Sequence, residues 1–126
     1  QLIKDFTPFI ERFGHVRADI GVIGWGSTAG CIKEAVFKAM QMGLKVSALH
    51  LKILNPLPAE ILQDFLSNTH NIIIPEENRE GQLANLLRQQ FDFKPIRFNK
   101  YNGLPFTANE ILNQIMDVAE KCPHQI

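Results

Sequence analysis

Hydrophobic and polar positions alternate between two periods along this chain. Residues 20–23 (IGVI) are a short apolar, partly β-branched run, the pattern of a strand buried on both faces. Immediately after it, Ile32, Ala35, Val36, Ala39 and Met40 recur at helical spacing, with Lys33, Glu34, Lys38 and Gln41 on the opposite side. Ser27 or Thr28 is placed to cap the start of that helix, and Gly43 stands where a C-terminal glycine belongs. Residues 45–53 read as a second strand stopped by Asn55-Pro56. Pro58 then opens a short helix whose buried stripe is Ile61, Leu62, Phe65 and Leu66.

The same alternation continues to the end of the chain. Residues 72–74 (III) give a third strand, ended by Pro75, and Leu83, Leu86, Leu87 and Phe91 mark a helix after Gly81. Residues 96–98 form a fourth strand. The last helix opens at Thr107-Ala-Asn-Glu110, a capping box in which hydroxyl and carboxylate each satisfy a backbone N–H. Ile111, Leu112, Ile115, Met116 and Ala119 carry its apolar face. Ahead of all this, residues 8–13 alternate in character and reach a turn near Gly14-His15. They predict an added edge strand, antiparallel to the strand after the turn.

Strand and helix in strict alternation require crossover connections and a mainly parallel sheet covered on both faces. The fold class expected is therefore α/β: a three-layer α/β/α sandwich around a mainly parallel five-stranded sheet with one antiparallel edge strand. Residues 1–7 read as a linker remnant, 8–121 as the domain and 122–126 as a tail. Because the chain starts at Gln1, it is expected to be a piece of a longer protein, and Leu2, Ile3 and Phe6 are expected to be covered there.

Composition narrows the function classes. The chain has 126 residues, enough for one domain with its own core, and thirteen basic residues balance thirteen acidic ones. No net field draws it to nucleic acid or to an anionic membrane. Cys31 and Cys122 lie far apart without metal-ligand spacing, which fits a reducing compartment, and no apolar run is long enough to span a membrane. A cytoplasmic domain is expected.

Candidate chemistry centres on DIGVIGWGSTAG at 19–30. Gly24, Gly26 and Ala29 satisfy G-x-G-x-x-G/A between a strand and a helix, so a small dinucleotide-binding module is one reading. The same fingerprint needs an acid about 20 residues further on to hold a ribose. Here the second strand ends LKILN, with none, and Trp25 is a bulky neighbour for a pyrophosphate. Glycines also serve strand-to-helix turns for backbone reasons alone, and that reading is preferred. No Gly-Lys-Ser/Thr supports a P-loop, and Ser27 lacks the context of a nucleophile elbow.

Glu76 and Glu77 follow the third strand at the sheet edge where open α/β folds place ligands. Adjacent residues on an extended backbone point to opposite faces, so they do not form a ready carboxylate pair. Structural or contact roles are expected for both. The histidines at 15, 50, 70 and 124 are scattered, and His50, within an apolar strand, reads as a hydrogen-bonded core residue. Cys31 sits in a first helical turn, where a dipole lowers a thiol pKa, yet a small buried apolar role is preferred. FDFKPIRFNKY at 91–101 interleaves aromatics with Lys94, Arg97 and Lys100 like a base-stacking strip, but strand alternation separates Ile96 and Phe98 from Arg97. No catalytic, cofactor-binding or metal-ligating residue is assigned.

Taken in order, VIGWGS at 22–27, GLKV at 43–46, LHLKILNPLP at 49–58, IPEEN at 74–78, GQLA at 81–84 and GLPF at 103–106 carry a family resemblance. The chain resembles the transketolase-type C-terminal domain of thiamine-diphosphate enzymes. Within that group it is most similar to the end of the alpha subunit of 2-oxoacid:ferredoxin oxidoreductases, the 2-oxoglutarate type above all. The likeness runs from about Pro8 to Lys121. It implies an assembly domain of an enzyme that oxidatively decarboxylates a 2-oxoacid to an acyl-CoA. It also implies thiamine diphosphate, magnesium and an iron–sulfur cluster or ferredoxin in the parent enzyme, none of them held here, since the G-D-G…N magnesium pattern is absent. The partners implied are other domains of the same subunit, a beta subunit and ferredoxin, with no nucleic acid and no membrane.

Overall fold

The computed structural model describes residues 2–6, 10–52, 59–77, 82–100 and 104–121, with backbone alone for 2–6 and 27. The elements are β1 (Leu2–Phe6), β2 (Ile10–His15), β3 (Ala18–Trp25), a 3-10 turn (Gly26–Thr28), α1 (Ala29–Gln41), β4 (Val46–Leu51), α2 (Ala59–Ser67), β5 (Thr69–Glu76), α3 (Gln82–Gln90), β6 (Ile96–Asn99) and α4 (Ala108–Lys121). The strands form one sheet in the order β1-β2-β4-β3-β5-β6. β4, β3, β5 and β6 run parallel; β2 is antiparallel to β4, and β1 to β2.

Burial explains this order. All six residues of β4 are buried, and β3 is nearly so, which suits strands covered on both faces. One face packs Ile20, Val22, Val46, Ala48 and Ile73 against Ile32, Ala35, Val36 and Ala39 of α1 and Ile111, Ile115 and Val118 of α4. The other packs Ile23, Leu49, Ile72 and Ile74 against Leu62 and Phe65 of α2 and Leu83 and Leu87 of α3. Each fully buried Leu, Ile or Phe side chain contributes about 1.5–3 kcal/mol relative to exposure. The three-layer α/β/α expectation is met.

Several particulars differ from the sequence reading. The sheet has six strands, because Leu2–Phe6, within the expected linker remnant, pairs with β2 in register from Leu2↔His15 to Phe6↔Glu11. LIKDF has no period-two alternation, so its strand identity comes from that pairing and not from its own pattern. β2 is antiparallel to β3 as expected but does not pair with it, since β4 lies between them. β4 is buried throughout, and β2, flanked by β1 and β4, is not the edge strand the sequence predicts. Pro75 does not end the third strand; β5 runs on through it to Glu76. β5 pairs with β3 only as far as Val22↔Ile73, so nothing on that side asks Pro75 for an N–H. Met116, expected on the apolar face of α4, is 40% exposed. Residues 53–58, including Pro58, lie outside the described residues, as do Gly81 and the tail.

Two helix ends were legible. At the end of α1, Leu44 N–H donates to the Ala39 carbonyl (3.1 Å) and Gly43 N–H to Met40 (3.0 Å), with Gly43 at φ +90°, a Schellman closure. At the start of α4 the capping box forms as expected: Thr107 N–H donates to Glu110 Oε1 (2.9 Å) and Glu110 N–H to Thr107 Oγ1 (3.2 Å).

Candidate functional site

The chain leaves β3 toward β4 on one side and leaves β5 toward β6 on the other. Beyond the C-terminal ends of these two strands the connections diverge and open a crevice, the place where open α/β sheets bind ligands. It has a volume of about 320 Å³ and is lined by Trp25, Gly26, Thr28, Pro75, Glu76, Glu77 and Gln82.

Its β3 wall is the glycine turn. A Cβ on Gly24 would run into Ile32 Cδ1 and Thr28 Oγ1, so this glycine lets α1 settle close to the strand. Gly26 has φ +72° and open space around the position of a Cβ, so its reason is the backbone turn. Of the two expected caps, Thr28 does not act as one. Thr28 Oγ1 donates back to the Trp25 carbonyl (3.0 Å) and makes no cap to α1, and the side chain of Ser27 is outside the described residues.

The β5 wall holds the two acids, and the strand sends them to opposite layers as the alternation required. Glu76 is 1% exposed. Its Oε1 accepts from Leu83 N–H (2.6 Å) and its Oε2 from Ala84 N–H (3.2 Å), so a buried carboxylate caps α3 from the end of a neighbouring strand. Glu77 turns the other way, and its Oε2 accepts from Phe106 N–H (2.9 Å) just ahead of α4. Lys100 closes the same corner, donating to Glu110 (2.7 and 2.9 Å) and to the Pro105 carbonyl (2.9 Å). The Lys100 bond, with help from Thr107, holds the Glu110 carboxyl below the usual range.

A second polar group lies on the α1 side of this edge. His50 is 5% exposed, between Glu11 of β2 and Gly24 of β3 in the sheet register. Burial pulls its pKa down, against the opposing pull of the Glu11 carboxylate and a hydrogen bond to the Gly26 backbone. Nδ1 has no partner among the described residues. Glu11 itself is held in its charged form chiefly by Lys33, with Lys52 at 3.4 Å as a second cation. Lys33 and Lys52 therefore already neutralise an internal carboxylate.

The remaining candidates disperse. His15 faces the Val46 carbonyl (3.3 Å), His70 stands 3.7 Å from Asp19, and His124 lies outside the described residues. Cys31 donates to the Thr28 carbonyl (3.2 Å), and burial pushes its thiol pKa up, opposite to the dipole effect. Arg97 donates to Asn85 (2.7 Å) and Phe98 meets the ring of Phe106 at 5.1 Å, so much of the aromatic–basic strip is used inside the fold. Among the described residues no three His, Cys, Asp or Glu side chains come together to hold a metal ion. No described helix is long and apolar enough to cross a membrane. The sequence reading missed the capping role of Glu76; its signal was an acid closing a buried strand a few residues before an apolar helix.

Chemically, the crevice offers one aromatic ring and two carboxylates, with no cation among its described lining residues. That is an unfavourable place for a pyrophosphate, and β4 ends in Leu51 followed by Lys52, without an acid for a ribose. The dinucleotide reading built on Gly24, Gly26 and Ala29 draws no support from this geometry.

Residues 18–111 match the family model described as pyruvate:ferredoxin oxidoreductase core domain II. The 2-oxoglutarate oxidoreductase subunit KorA of Mycobacterium tuberculosis is 40% identical over 94 residues, covering 75% of this chain and 14% of that protein. A 2-oxoglutarate:ferredoxin oxidoreductase from Magnetococcus marinus, solved with 2-oxoglutarate, coenzyme A and succinyl-CoA bound, superposes with a TM-score of 0.84. It is 38% identical and is matched over 90% of this chain and 20% of its own. A split-gene transketolase, at 15% identity and a TM-score of 0.65, shares the fold. The chain thus spans a fifth or less of the length of these oxidoreductase subunits.

Proposed function

The chain belongs to the pyruvate:ferredoxin oxidoreductase core domain II family, and from that premise we propose that it is a non-catalytic assembly domain of an alpha subunit. The parent enzyme is a 2-oxoacid:ferredoxin oxidoreductase acting on 2-oxoglutarate, the substrate named for two of the relatives. It removes carbon dioxide from the 2-oxoacid, transfers the acyl group to coenzyme A and passes the electrons to ferredoxin in the cytoplasm. Thiamine diphosphate with magnesium and an iron–sulfur cluster serve that reaction from other domains and from the beta subunit.

The observation that carries this reading is the use of Glu76 and Glu77. At the position where a ligand site belongs, both carboxylates accept backbone N–H groups of the next layer. The edge is built to hold α3 and α4 in place, which is a scaffold's requirement. Calorimetric titration of the 126-residue chain with thiamine diphosphate and magnesium is expected to give no heat, and micromolar binding would refute the assignment. Saturable NAD binding that Gly26→Val abolishes would move the chain to the dinucleotide class.

A further inference from the structure

We draw no further inference here: the strongest candidate, the crevice between the C-terminal ends of β3 and β5, belongs to the site already described, and its acids Glu76 and Glu77 already serve to cap α3 and to hold the approach to α4.

Discussion

Glu76 offers the sharpest test of how this edge is held together. Its carboxylate is buried and accepts two backbone N–H groups at the first turn of α3, at 2.6 and 3.2 Å. Glu76→Ala leaves two buried donors without an acceptor, each costing about 1–3 kcal/mol. The relief of no longer desolvating a carboxylate offsets part of that, leaving a net loss of roughly 2–4 kcal/mol. Glu76→Gln keeps one acceptor for Leu83 but turns an N–H toward Ala84 and removes the charge at the helix N-terminus, for about 1–2 kcal/mol. Glu77→Gln is the control: it retains an acceptor for Phe106, its residue is exposed, and its expected cost is below about 0.5 kcal/mol. Urea denaturation followed by circular dichroism supplies the three free energies. A loss of 1 kcal/mol lowers the thermal midpoint of a domain this size by roughly 3–5 °C. Amide exchange at Leu83 and Ala84 should quicken in both Glu76 variants. Equal stabilities for Glu76→Gln and Glu77→Gln would refute the reasoning, because the structure makes only the first carboxylate a buried double acceptor.

Two further outcomes follow from the same edge. Burial lowers the folded-state pKa of His50 below its unfolded value of about 6.5. Above that pH the imidazole is neutral in both states; as the pH falls through it the unfolded chain takes up the proton first, so stability declines until the folded pKa is passed. Glu11, Lys33 and Lys52 are the charged groups around it, and the lowered Glu11 pKa acts in a separate window below pH 4.5. The urea midpoint should drop between pH 7.5 and pH 5, less steeply in His50→Gln; parallel profiles would count against a buried neutral imidazole. Among the glycines of residues 19–30, Gly24→Ala should destabilise by roughly 1–3 kcal/mol through collision with Ile32 and Thr28. Gly30→Ala, in open space on α1, should instead stabilise by up to about 1 kcal/mol, and the opposite ranking by thermal melting would refute the steric account.

The sequence by itself determined what depends on neighbours within a few residues. The stripe Ile32, Ala35, Val36 and Ala39 fixed the buried face of α1. Thr107 and Glu110 fixed the start of α4, and Gly43 the end of α1. The opposite directions of Glu76 and Glu77 followed from strand alternation, and six ordered motifs carried the family. Tertiary structure decided what depends on residues far apart in the chain. LIKDF became a strand only because β2 lay beside it, and β4 took the place between β2 and β3. Glu76 became a cap only when β5 delivered it to the first turn of α3, and Met116 lost its place in the core because α4 turned it outward. Period and capping are properties of one helix or strand and can be read from its residues. Pairing and burial belong to two elements at once, and their geometry exists only after the chain has brought those elements together.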